Sequence, residues 1–123
     1  MRPLKPSEVE DFLSRFAKFQ ASEIRSADIC SATTIEIRLS VQDGARSFDW
    51  IDLLLELSNV TQAKILEQNQ LSCLDMDEGI NIFCKDNKFV LCHGSYDSLQ
   101  GVQSSSLYAI CDSIKYKELP FSQ

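Results

Sequence analysis

The stretch Asp49-Trp50-Ile51-Asp52-Leu53-Leu54-Leu55-Glu56-Leu57 is the most hydrophobic run of the chain, and the other segments read as parts that pair with it, cover it or close it. Ile51, Leu53, Leu55 and Leu57 recur at period two, while Trp50, Asp52, Leu54 and Glu56 fall on the opposite face. That is the pattern of a β-strand with one apolar and one mixed face. A sheet face that displayed both Trp50 and Leu54 would be an exposed apolar patch, so a second cover is expected on the mixed side.

Upstream, Thr33 to Val41 alternates cleanly, with Ile35, Ile37, Leu39 and Val41 facing one way and Thr34, Glu36, Arg38 and Ser40 the other. Paired residues share a face, so a two-residue Asp-Gly turn would set Ile37 beside Trp50 and mismatch the two strands. The connecting loop must have odd length. A three-residue loop of Gln42, Asp43 and Gly44, with Gly44 left-handed, sets Ile35 opposite Ile51 and Thr33 opposite Leu53.

Before this hairpin, Ser7 and Glu10 have the spacing of a capping box, which predicts a helix over 7–19. Val9, Phe12, Leu13, Phe16 and Phe19 form its apolar stripe, a candidate cover for Trp50 and Leu54. Glu23 to Cys30 reads as a short strand. After the Ser58-Asn59 break, Val60 to Leu66 reads as another, although a helix over Gln62, Ala63, Lys64, Ile65 and Leu66 would make the domain α+β. Around Asp86-Asn87 a two-residue turn pairs Cys84 with Phe89, Ile82 with Leu91 and Ile80 with His93. Gly94 to Ser106, rich in Ser and Gly, is expected to be a mobile loop. Leu107 to Tyr116 is the last strand; its apolar phase changes between Cys111 and Ile114, which predicts a bulge near Asp112 or Ser113. The expected fold is a single domain over 1–123, mainly β: a helix at 7–19 and a β body at 22–117, built as an antiparallel sheet or sandwich of six to seven strands.

A chain of 123 residues buries roughly two-thirds of its unfolded surface, enough for a core without staples. Glu8, Glu10 and Asp11 stand where a signal peptide would have an apolar stretch, and no apolar run approaches the roughly 20 residues of a membrane span. A cytoplasmic location away from membranes is expected. The five cysteines, Cys30, Cys73, Cys84, Cys92 and Cys111, include no C-x-x-C pair and read as reduced thiols, mostly small core hydrophobes.

The net charge of −6 is concentrated in the central third. From Asp43 to Glu78 eight acids (Asp43, Asp49, Asp52, Glu56, Glu67, Asp75, Asp77, Glu78) face two bases (Arg46, Lys64), and the remaining ten acids and ten bases cancel. Such a surface disfavours phosphate backbones and favours a basic protein partner. The densest cluster, Asp75-Met76-Asp77-Glu78-Gly79, lies on a long loop expected to be flexible and lacks the ligand spacing of a calcium loop. Asp75, Asp77 and Glu78, with Asp52 and Glu56 from the central strand, are therefore the candidate partner-binding residues. His93 is the lone histidine and reads as packed or at a rim; Cys92 beside it points to the other face of the strand. No catalytic set, metal site or cofactor is assigned.

The segments Ser22-Glu23-Ile24-Arg25-Ser26, Ile35-Glu36-Ile37-Arg38-Leu39, Leu53 to Val60 and Leu107 to Ile114 together resemble small bacterial domains of unknown function, some of them grouped with immunity proteins of polymorphic-toxin systems. The resemblance spans roughly Ala21 to Leu119. Where such domains often carry a His-Asp pair before the first strand, this chain has Gln20-Ala21. The resemblance implies a non-catalytic, toxin-neutralising binding protein. The alternative reading is a small-ligand or enzymatic domain with a pocket between sheet and helix.

Overall fold

The computed structural model describes residues 1–122. Nine strands form two antiparallel sheets. The first sheet has the order β1 (Arg2–Pro3), β9 (Ser113–Leu119), β4 (Asp49–Ser58), β3 (Ile35–Asp43), β2 (Glu23–Ile29), and the second β5 (Gln62–Lys64), β8 (Tyr108–Cys111), β7 (Lys88–His93), β6 (Ile80–Lys85). Three short helices accompany them: α1 (Val9–Arg15), α2 (Gln68–Leu71) and α3 (Leu99–Val102).

Strands β3 and β4 place their apolar faces together, pairing Ile35 with Leu57, Ile37 with Leu55, Leu39 with Leu53 and Val41 with Ile51. The odd-length argument holds, but the register does not. Gln42 and Asp43 continue the ladder to the pair Asp43–Asp49, and the loop is the five residues Gly44 to Phe48. The Asp43 carboxylate makes this possible: it accepts from the Ala45 N–H at 2.9 Å and starts a 3-10 turn over Gly44–Arg46. The left-handed residues are Ser47 (φ 56°) and Phe48 (φ 65°), not Gly44. Gly44 is required for another reason, since a Cβ there would lie 2.9 Å from the Arg15 carbonyl oxygen.

The two sheets are joined at a corner that β4–β5 and β8–β9 turn together. Ser58 pairs with Ser113 in the first sheet; the Asp112 N–H then donates to Ser58 O (3.1 Å) and the Thr61 N–H to Ile110 O (2.9 Å), and Gln62 pairs with Ile110 in the second. The phase change between Cys111 and Ile114 is this crossing: both side chains stay buried because the strand changes sheets between them. Inside the corner, the β3 and β4 faces meet Ile80, Ile82, Phe89, Leu91 and Ala109 of the second sheet. The β6–β7 hairpin has the expected register, with Asp86 and Asn87 both at positive φ as a tight hairpin turn needs.

The amino-terminal stripe Val9, Phe12, Leu13, Phe16 and Phe19 is buried, but it inserts between the sheets. Phe12 lies 4.9 Å from the Tyr116 ring on the inner face. The expectation that this helix covers Trp50 and Leu54 is therefore overturned; those residues lie on the outer face, where Trp50 is 43% exposed and its ring neighbour is Phe121. The helix is also shorter than 7–19. In place of the expected Ser7–Glu10 capping box, the Lys5 N–H donates to the Glu8 carboxylate (3.1 Å), and the helix ends where Ala17, Lys18 and Phe19 turn left-handed. That reversal costs about 1–2 kcal/mol per residue. It lets Phe19 bury fully and stack on Phe16 at 5.4 Å.

Two loop readings change as well. Gly94 to Ser106 contains α3, whose Val102 and Leu99 cover Val90, Cys92 and Tyr108 on the outer face of the second sheet. Val60 to Leu66 contains only β5, and the helical turn follows it as α2 instead of occupying Gln62 to Leu66. Among the described residues no helix is long and apolar enough to cross a membrane.

Candidate functional site

The fold divides the central acids into two classes. Asp43 is 0% exposed and accepts from Arg15 Nε (2.8 Å) and Nη2 (2.7 Å), with Arg46 Nε at 3.2 Å. The Arg15 hydrogen bonds hold its carboxyl below the usual range, against the opposing effect of burial. Asp52 is 0% exposed too, and its oxygens accept from Arg38 Nε (3.0 Å), Arg38 Nη2 (2.9 Å), Ser40 Oγ (2.8 Å) and Ser122 Oγ (3.1 Å). Burial pushes this carboxyl up, but the Ser40, Arg38 and Ser122 hydrogen bonds outweigh it and the net shift is downward. Asp43 and Asp52 are thus structural ions, and Asp52 contributes nothing to the accessible acidic surface. Glu56 is half-buried on the outer face, between Glu36 on β3 and Lys115 on β9.

Asp75, Asp77 and Glu78 are exposed, and they are carried on an ordered turn where a flexible loop was expected. Met76–Glu78 is a 3-10 turn, started by the Asp75 carboxylate accepting from the Asp77 N–H at 3.0 Å. The Met76 carbonyl accepts from the Ala21 (3.3 Å) and Gly79 (3.0 Å) N–H groups. Gly79 has φ 70°, and a Cβ there would lie 2.4 Å from the Lys18 carbonyl oxygen, so the turn rests on the left-handed end of the amino-terminal helix. His93 completes the anchorage. It is 5% exposed, and its Nε2 donates to the Asp75 carbonyl at 2.7 Å, so the lone histidine fastens the acidic turn to the end of β7.

Beside this turn runs a groove of about 640 Å³ between β2 and α2. Ile24, Leu71, Leu74 and Met76 give it an apolar floor, and Glu23 and Arg25 stand on its rim. Gln68 Nε2 donates to the Arg25 carbonyl at 2.7 Å and so ties α2 to the edge of the first sheet. Sequence reasoning missed the groove because α2 and β2 are some forty residues apart along the chain. It also missed the Arg38–Ser40–Asp52 cluster, although the alternation already placed all three on one face; the shifted register concealed their contact.

Three of the cysteines, Cys30, Cys73 and Cys84, are exposed, contrary to the expectation of mostly core thiols. Burial pushes the Cys92 thiol up to about 11 and the Cys111 thiol up to about 12, so both stay protonated at neutral pH and neither is a poised thiolate. Cys92 sits with Val90 and Tyr108 in the outer cluster of the second sheet, away from the Asp75 turn that His93 bonds. Among the described residues no group of three or more His, Cys, Asp or Glu side chains is placed to hold a metal ion. Comparison with protein-family models, curated proteins and solved structures finds no match to this chain.

Proposed function

We propose that this chain is a non-catalytic protein-binding domain that recognises a basic partner through the Asp75–Glu78 turn and the adjoining β2–α2 groove. The observation that carries this reading is the presentation of Asp75, Asp77 and Glu78. Asp43 and Asp52 are neutralised by internal arginines, whereas no ion pair among the described residues involves these three carboxylates, and their backbone is fixed by His93, Ala21 and Gly79. Preorganised charge beside a groove of mixed polar and apolar lining steers a basic surface and then holds it. The resemblance to toxin-immunity domains supports a cytoplasmic, toxin-like partner, with neither nucleic acid nor membrane as the target. The test is a pull-down from the native cell at low salt with the unmodified chain and with Asp77→Lys/Glu78→Lys. A basic protein retained by the first, released by salt and lost from the second is expected; a salt-independent catch shared by both refutes the electrostatic reading.

A second reading, a small-ligand domain, is favoured by the groove itself, because it lies between a sheet edge and a helix. A thermal-shift hit abolished by Leu74→Asp and indifferent to charge reversal of the turn would favour it.

A further inference from the structure

Strand β2 is a free edge of the five-stranded sheet, and the ladder shows which of its backbone groups are unused. The Cys30 N–H donates to Thr34 O (2.9 Å), so Cys30 is a bonded partner of the β3 side. Bonded and non-bonded pairs alternate in an antiparallel ladder. With Asp28 opposite Glu36 and Ser26 opposite Arg38, those two residues also bond β3, while Ala27 and Ile29 turn their N–H and C=O groups outward. Arg25 is the extra residue of a bulge, and its carbonyl is taken by Gln68 Nε2 (2.7 Å). Past that bond lies a second hollow, about 360 Å³, with Ile29, Ile35, Val60, Ala63 and Ile65 in its walls. Ile29 is 70% exposed. Among the described residues no strand pairs with the outward groups of Ala27 and Ile29.

We propose that this edge takes up an extended, basic segment of a partner protein as an added strand. Free edges are commonly guarded by proline, lysine or a covering element, and Ser26 to Ile29 carries neither proline nor lysine. The main chain of the incoming strand bonds the outward groups of Ala27 and Ile29. Opposite residues share a face, so its side chain opposite Ile29 enters the hollow and the next, opposite Asp28, stands on the outer face. There Asp28, Glu36 and Glu56 lie directly opposite one another on β2, β3 and β4, an arrangement that destabilises a sheet. Among the described residues none of the three is in an ion pair, and Lys115 on β9 ends the row with the opposite charge. A lysine or arginine opposite Asp28 closes the other end of that row. The element recognised is thus an apolar, a basic and a second apolar residue in succession. A second copy of this chain does not fit, because joined edge to edge it continues the row with its own Asp28, Glu36 and Glu56. The inference rests on the basic partner proposed above and names the element by which that partner binds.

The probe is the synthetic peptide Val-Lys-Val-Lys-Val-Lys-Val, read by amide hydrogen exchange in the isotope-labelled full chain. In the free chain Ala27 and Ile29 should exchange fast, and Asp28 and Cys30, whose N–H groups bond β3 and its turn, slowly. Peptide at about ten times its Kd should slow Ala27 and Ile29 about tenfold, since about one chain in eleven is then free. N-methylation of the valines, whose N–H groups face β2, should abolish the slowing, and N-methylation of the lysines should leave it. Asp77→Lys/Glu78→Lys should keep it as well. Ala27→Pro removes an outward N–H, which an edge strand tolerates, and should weaken binding on the order of fivefold, read at Ile29. Should that variant fail to fold, Ile29→Lys, at an exposed side chain, replaces it and must weaken binding measurably. A native chain whose exchange the peptide does not slow overturns the proposal. So does equal slowing by an alternating valine and glutamate peptide, or a free chain of doubled mass whose edge is already protected. Slowing that survives valine methylation but is lost in the turn variant overturns the added strand and leaves a partner on the turn standing. That partner fails only if the salt-dependent pull-down does.

Discussion

Replacing Asp52 by Ala tests whether the central strand's acid serves the fold or a partner. The substitution removes the acceptors of two Arg38 nitrogens and of the Ser40 and Ser122 hydroxyls. Ser40 is 1% exposed, so its hydroxyl is left without a partner at a cost of about 1–3 kcal/mol. The Arg38 side chain is 38% exposed and regains water, so its share falls to that of a surface pair, about 0.5–1 kcal/mol. The expected loss is about 2–3 kcal/mol, or a melting temperature lower by about 10 °C. Urea unfolding followed by far-ultraviolet circular dichroism measures it, with the m-value unchanged. Adding Ser40→Ala to Asp52→Ala should recover about 1 kcal/mol, since the orphaned hydroxyl is then gone. The acid limb provides a second check. The Asp52 carboxyl is depressed in the folded state, so its stabilisation is present above the ordinary aspartate value near 4 and is lost as pH falls through the lower folded value. Asp52→Asn should therefore lose less stability than the native chain between about pH 4 and pH 2. A loss under about 0.5 kcal/mol for Asp52→Ala, or superimposable acid limbs, would refute the buried-ion argument.

Gly79→Ala places a methyl against the Lys18 carbonyl at a positive φ and should destabilise by more than about 2 kcal/mol in a thermal melt, whereas Gly101→Ala, at a φ ordinary for any residue, should be milder. Asp77→Lys/Glu78→Lys should leave the melting temperature unchanged because both side chains are exposed, while Asp75→Lys should lose about 1 kcal/mol with the cap on the Asp77 N–H. In the native protein a thiol reagent should label Cys30, Cys73 and Cys84 rapidly and reach Cys92 and Cys111 only on unfolding, which mass spectrometry of timed aliquots reads directly.

Much of this fold was legible where a local period decides it. The alternation in β3 and β4, the Asp86-Asn87 hairpin and the phase change before Ile114 each follow from side chains having to reach one core. What was not legible depended on contacts distant in sequence. The β3–β4 loop is set by Arg15 holding Asp43, 28 residues away. The helix ends in a left-handed turn at Ala17, Lys18 and Phe19, residues with no local preference for that backbone. Whether the helix stripe covered the inner or the outer face of β4 was equally open to periodicity, because both faces carry apolar residues. The acidic candidates were separable only by the true register, which set Asp52 beside Ser40 and Arg38 on the outer face and left Glu56 beside Glu36.

The same register gives the net charge its meaning. An excess of carboxylates in the central third would suggest one acidic surface, yet the chain spends Asp43 and Asp52 on arginines that bind the helix to the hairpin and brace the outer face. Among the carboxylates of the chain that remain accessible, two groups have different surroundings. Those at Asp75–Glu78 adjoin a groove of mixed lining and have no lysine beside them on the turn, so a foreign basic surface is the natural complement. Those at Asp28, Glu36 and Glu56 share a sheet face with Lys115 and Lys117, so the chain itself carries part of their complement. A partner that binds the turn should therefore still bind Lys115→Glu/Lys117→Glu, whose charge reversal lies on the other face. Loss of binding in that variant would mean that the two acidic groups form a single surface, and that the division drawn from burial and register is wrong.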